Sequence, residues 1–201
     1  MSTIVTAQSV SVFFGEAVED AIRARGVSAT DGATHYLVSL LADYAHPDHR
    51  TGEALDRPLT LLLDEALHVQ DAAERFERLR TIGDGVLYGC GFFSDHFEAR
   101  GVDPKYLHGI GTRAYGTASS MLRCRAEDVP DLFGELAEKF DAFVDVVAEV
   151  ADATIAMSAE SSRGILKAYE RWLKTGSDRL ASALTSKGVV PTRGAKGGVL
   201  Q

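Results

Sequence analysis

Arg80, Asp84, Tyr88 and Phe92 recur every fourth position along one stretch of the chain. On a helix that spacing puts them on one face, so the Arg80 guanidinium can pair with the Asp84 carboxylate while the Tyr88 hydroxyl lies close by. A second set, His108, Thr112, Tyr115 and Ser119, shares a face of a later stretch. Two such faces in contact enclose a polar network, and beside a cleft a network of this kind binds a small polar ligand or serves an enzyme. Arg80, Asp84, Tyr88, His108 and Tyr115 are therefore the candidate pocket residues. The same residues also fit a plainer arrangement, in which Arg80 and Asp84 are an ion pair at a helix junction and the second stripe is solvated.

Metal chemistry has a thinner basis. Asp43, His46 and His49 cluster at the end of one helical stretch, and Glu65 with His68 forms a Glu-x-x-His step. Carboxylate-bridged di-iron bundles need two such steps and further inward glutamates, and this chain offers one. Asp43, His46, Glu65 and His68 are thus weak metal candidates, and the expectation is no metal and no cofactor. A haem on His35 or His68 has no attachment motif behind it. The Gly-x-Gly at 83–85 and at 89–91 falls inside a helical stretch, whereas a phosphate loop follows a strand. Cys90 lies between two glycines in an apolar run, the setting of a packed thiol, and with Cys124 it forms neither a zinc set nor a redox pair. No catalytic set is assembled, which leaves open whether the protein is an enzyme.

Charge is the most informative bulk property. The net charge is −8, yet residues 161–201 hold eight Lys/Arg against two acids, a local +6 that leaves −14 on the rest. Such a basic segment either docks on its own acidic body or faces a separate acidic partner. Arg163, Lys167, Arg171, Trp172 and Lys174 are the candidate partner-binding residues. A protein partner is expected and a homo-oligomer is compatible with the pattern. Nucleic acid is disfavoured because only this one segment is basic.

The elements that must position these residues read as helices throughout. Val10, Phe13, Phe14, Ala17, Val18, Ala21 and Ile22 form one apolar face, closed by Gly26. Ser28 with Asp31 reads as a capping arrangement for a second helix that carries Tyr36, Leu37, Leu40, Leu41 and Tyr44 inward. Residues 47–58 read as an exposed loop, and a third helix starts at Pro58. A fourth starts near Asp71 and runs on through Gly83, Gly85, Gly89 and Gly91, each costing about 1 kcal/mol relative to alanine in a helix interior. A further glycine-bearing helix covers 104–125, and the expected offset is backbone-to-backbone packing of the two at Gly83, Gly89, Gly109 and Gly116. Residues 130–157 form the longest periodic segment, and 161–174 and 177–187 give two basic helices.

The run at 79–119, LRTIGDGVLYGCGFFSDHFEARGVDPKYLHGIGTRAYGTAS, together with ILKAYERWLKTGSDRL, resembles a bacterial, mainly proteobacterial, all-helical family with an LRxxGDxxLYxxGFF…Y…GxxxY pattern. Gly83, Asp84, Gly91, Phe92, Phe93, Tyr106, Gly111 and Tyr115 carry the resemblance, and His108 falls outside it. It implies a helical fold and supplies no reaction.

The resulting expectation is an all-α bundle of seven to eight helices around a glycine-rich central pair. One domain is expected over 1–188, followed by a flexible tail over 189–201. No apolar run is long enough to span a bilayer, and Met1 to Gln8 lacks the pattern of a signal peptide, so a cytoplasmic protein is expected. The functional expectation is a helical binding or regulatory module making protein contacts. The alternative is a small-ligand-binding protein or enzyme with its pocket at Arg80, Asp84, Tyr88, His108 and Tyr115.

Overall fold

The computed structural model describes residues 2–45, 57–123 and 130–192. Among these residues every regular element is a helix and there is no strand. The described residues form ten helices: α1 (Ser2–Arg25), α2 (Asp31–Tyr44), α3 (Leu59–His68), α4 (Ala72–Phe92), α5 (Ser94–Ala99), α6 (Pro104–Arg123), α7 (Leu132–Glu138), α8 (Phe140–Ser158), α9 (Ser162–Thr175) and α10 (Asp178–Ser186). The number exceeds the expected seven to eight because two periodic segments break. The fourth stretch ends at Phe93, and the 130–157 stretch is interrupted at Lys139. Apolar periodicity survives such a one-residue break, which is why the pattern alone does not reveal it. The chain divides into two compact units, 1–148 and 149–201, with the boundary inside α8. Of the tail expected at 189–201, residues from 193 onward lie outside the described residues, as do His46, His49 and Cys124.

In the first unit the helix starts are set by short polar side chains. Asp71 caps α4 by accepting from the Glu74 N–H at 2.7 Å, satisfying one of the amides that have no intrahelical partner. The start of α2 differs from the expected Ser28/Asp31 arrangement. Thr30 is the cap, its hydroxyl accepting from the Ala33 N–H at 3.2 Å. The carboxylate that completes the cap comes from α7: Thr30 N–H and Oγ1 donate to Glu135 at 3.0 and 2.5 Å. A partner 105 positions away cannot be read from local spacing. Lys139 adds a second tie, donating to the Ser28 carbonyl at 2.7 Å and to Glu135 at 3.0 Å.

The most extensive pairing in this unit is between α4 and α6. The glycines on these helices serve it in a way the sequence reading did not anticipate. Gly109 is exposed, with open space where a Cβ would stand, and Gly116 has only the Ala137 methyl in reach. The expected backbone-to-backbone contact at these positions is therefore not what the glycines provide. They make room for side chains. A Cβ on Gly83 would lie 2.5 Å from the Tyr115 ring, one on Gly111 would overlap the Phe140 ring, and one on Gly91 would overlap Val147. Around these seats Leu37, Leu41, Leu79, Val86, Leu87, Leu136 and Phe143 are sealed from solvent.

The second unit has its own small core of Ala159, Ala168, Trp172, Leu180 and Leu184, flanked by Ile155, Ile165 and Tyr169. Gly176 and Gly188 end α9 and the C-terminal α10 in the left-handed region, with φ of +70° and +78°.

Alanine at the crowded glycines should overpack the first unit. Gly111→Ala and Gly91→Ala are each expected to lower the unfolding free energy by about 1–3 kcal/mol. Gly109→Ala, in open space on the same α6, is expected to raise it by about 0.4–1 kcal/mol. Urea unfolding of the three variants checks this, and equal losses at Gly109 and Gly111 would refute the packing argument.

Candidate functional site

Asp84 is the buried carboxylate of the first unit, 7% exposed, and three helices converge on it. From α2, Tyr36 donates its hydroxyl to Asp84 Oδ1 at 2.6 Å. From α6, Tyr115 donates to the same oxygen at 2.7 Å. One turn before Asp84 on α4, Arg80 Nη1 reaches Oδ2 at 3.4 Å. The guanidinium is anchored on its other side by Glu77, at 2.6 Å from Nη2 and 3.1 Å from Nε.

The neighbours of Asp84 explain how two bulky rings come so near. Gly83 leaves the space that the Tyr115 ring fills, and Gly85 lies beneath the Tyr44 hydroxyl. A side chain at Gly83 would hold the Tyr115 ring off, whereas a Cβ at Gly85 would stand 3.6 Å from the Tyr44 hydroxyl, an ordinary contact. Tyr44 in turn packs on the Tyr88 ring, centroids 4.5 Å apart, and Tyr88 stacks on Phe92 at 4.8 Å. These aromatic contacts form a wall next to the carboxylate.

Burial dominates the electrostatics. Desolvation pushes the Asp84 carboxyl above its ordinary value, against the hydrogen bonds from Tyr36 and Tyr115 and the charge of Arg80, which favour the anion. Burial also raises Tyr36, Tyr44 and Tyr115, and the Asp84 charge adds to each. These phenols stay protonated, so Tyr36 and Tyr115 keep donating to Asp84. The Arg80 guanidinium is held more firmly protonated by its bond to Glu77 and the nearby Asp84. Burial pushes the Cys90 thiol up to about 12, so at neutral pH it is a packed thiol and not a thiolate.

Beside Asp84 a cleft of about 120 Å³ opens between α2 and α4, lined by Tyr36, Ser39, Asp43, Tyr44, Arg80 and Thr81. Of the five candidate pocket residues, Arg80 and Asp84 line it, and Tyr115 is buried outside the lining and bonded to Asp84. Tyr88 stands behind Tyr44 in the aromatic wall. His108 is engaged elsewhere, its Nδ1 2.6 Å from Asp141 Oδ1 and its ring against Phe140. Ser119, expected on the same stripe, bonds Asp131 at 2.9 Å. Tyr36, Ser39 and Tyr44 do not stand out as site residues in the sequence, because Tyr36 and Tyr44 fall within the apolar stripe of α2. Their spacing of eight, two turns on one face, with Asp43 beside the second, is the signal that was present.

The weak metal candidates are dispersed. Asp43 lines the cleft, Glu65 is held by Arg57 at 2.5 and 3.2 Å, and His68 Nδ1 lies 2.8 Å from the Asp64 carbonyl. His46 lies outside the described residues. Among the described residues no three His, Cys, Asp or Glu side chains are grouped as a metal site, and no helix is long and apolar enough to cross a membrane. The partner-binding candidates of the second unit separate into two kinds. Arg171 is buried and donates to the equally buried Asp152 at 2.9 Å, and Trp172 belongs to the small core. Arg163, Lys167 and Lys174 are exposed on α9.

Fold and site thus define an all-helical protein with a carboxylate buried by tyrosines at the floor of a small polar cleft. Compared with family models, curated proteins and solved structures, the chain matches none.

A carboxyl whose folded value is raised adds stability that is fully present at low pH and is lost as pH rises through that folded value. Asp84→Asn keeps an oxygen for both tyrosines and removes the titration. The unfolding free energy of the native protein minus that of Asp84→Asn is therefore expected to fall as pH rises from about 4, the ordinary aspartate value, toward neutrality. Urea titrations across that range measure it, and a difference that stays level or grows would show that Asp84 is not raised.

Proposed function

We propose that this protein is a helical binding module of the cytoplasm whose first unit receives a small organic cation in the cleft at Asp84. The observation that carries this reading is the composition of the cleft. Asp43 and Asp84 face it from two helices, and the one cation on its wall, Arg80, is shared between Glu77 and Asp84, one guanidinium against three carboxyl groups. That leaves a local excess of negative charge between the rings of Tyr36 and Tyr44, which suits an ammonium group through Coulomb attraction and cation–π contact. A volume near 120 Å³ equals about four water molecules at their share of the liquid, room for a ligand of a few heavy atoms. Four residues that carry the resemblance to the bacterial helical family, Gly83, Asp84, Gly111 and Tyr115, build or support this corner, and we take the corner to be the feature that family shares.

A specific observation favours a second reading, protein contact through α9. Leu166 and Leu173 are 57% and 42% exposed, two turns apart, with Arg163, Lys167 and Lys174 exposed around them. A leucine pair with a basic rim suits an acidic amphipathic helix from a partner.

Calorimetric titration with ethylammonium chloride tests the first reading. Saturable binding is expected, weakened at least fivefold by Asp43→Asn and tightening as pH rises, because the raised Asp84 carboxyl attracts the cation only when ionised. Binding that is absent, or indifferent to both Asp43→Asn and pH, refutes it. For the second reading, a synthetic helix with leucines on one face and glutamates on the other is expected to bind at low salt. Leu166→Asp combined with Leu173→Asp should abolish that binding while shifting unfolding by no more than about 0.5 kcal/mol. Unchanged binding by the double variant, or none by the native protein, counts against α9 as the contact.

A further inference from the structure

A second recess in the first unit differs in character from the Asp84 cleft. It is a groove of about 900 Å³ between the start of α4 and the end of α6, and Leu67, Phe76, Met121 and Leu122 give it an apolar lining. Its hydroxyls are already engaged: Thr117 donates to the Arg113 carbonyl and Ser120 to the Gly116 carbonyl. Its carboxylate, Glu77, is taken by Arg80.

The remaining polar group is Arg75, and it is the exception among the arginines of this region. Arg57, Arg78 and Arg80 each hold a glutamate, at 2.5, 2.6 and 2.6 Å. Among the described residues Arg75 has no such partner, and its Nε is buried without a hydrogen bond. A buried guanidinium nitrogen deprived of both water and an acceptor is destabilising until an anion arrives. Charge and lining together specify a molecule with one anionic group and an apolar body.

The dimensions favour a small molecule. The groove follows α4 over 72–77 and α6 over 117–122, about 8 Å along each helix at 1.5 Å per residue. That is too short to seat a partner helix and suits an alkyl chain. We propose that this groove binds an aliphatic monocarboxylate of medium chain length, its carboxylate on Arg75 and its chain along Phe76, Met121 and Leu67.

Titration of the full chain with sodium octanoate, followed by calorimetry, tests the assignment against 1-octanol, octylammonium chloride and sodium acetate. The expected result is one saturable octanoate site, with octanol and acetate each at least tenfold weaker and octylammonium unbound at the groove. Arg75→Gln should weaken octanoate at least tenfold, and Arg75→Lys should restore much of that loss by returning the charge. Ala73→Trp, which fills the groove from an exposed position on its rim, should block octanoate while leaving ethylammonium binding unchanged. Octanol binding as tightly as octanoate, or Arg75→Gln binding octanoate like the native protein, would overturn the proposal. So would concentration-dependent dimerisation abolished by Ala73→Trp, which would assign the groove to a second copy of the chain.

Discussion

A carboxylate taken out of water is among the more expensive things a small helical protein can bury, and the first unit is organised around doing so at Asp84. Two phenols donate to one of its oxygens and a guanidinium approaches the other, so α2, α4 and α6 are joined by polar bonds at one carboxyl group. The arrangement depends on the absence of a side chain beside Asp84. Gly83 precedes it, and the Tyr115 ring occupies the space that Gly83 leaves. A helix interior with this much glycine is intrinsically weak. Here the weakness is offset by aromatic rings packed where a Cβ would stand, and by hydrogen bonds that only those rings in that position can make.

Polar ties at the helix ends act with this junction. Glu135 of α7 completes the cap of α2, Lys139 holds the Ser28 carbonyl, and Asp131 accepts from Ser119 and Arg123 of α6. The short α7 thus holds the start of α2 and the end of α6 through side chains, while its own Phe133 and Leu136 are buried. The break at Lys139 coincides with these ties. The residue that leaves helical geometry there is also the one that bonds another helix's start.

In the second unit the basic charge is divided by burial. Arg171 and Arg179 pair with Asp152 and Glu149 at 2.9 Å each, and Lys187 lies 4.0 Å from Glu160. These cations and acids belong to one unit, so part of the segregated charge seen along the chain is neutralised locally. Removing one member of the buried Arg171–Asp152 pair would strand the other, a loss of about 3–5 kcal/mol. The outer face of α9 carries two exposed leucines with Arg163, Lys167 and Lys174 exposed around them.

The helices themselves were largely legible in the residues. Apolar periodicity, Gly26, Pro58, Asp71, Pro104, Gly176 and Gly188 mark where most of them run and stop, because those signals act within a turn or two of the chain. The Arg80–Asp84 pairing was legible for the same reason, being an i,i+4 contact on one helix. Tertiary structure decided what local spacing does not carry: that Tyr36 and Tyr115 share one oxygen of Asp84, that His108 turns to Asp141, that Glu135 caps a helix far away in sequence, and that Arg171 and Trp172 face inward. It also decided the purpose of the glycines. A missing side chain records that space is needed but not what fills it, and whether the filler is a backbone, a tyrosine ring or water depends on residues that reach the spot only when the chain has packed.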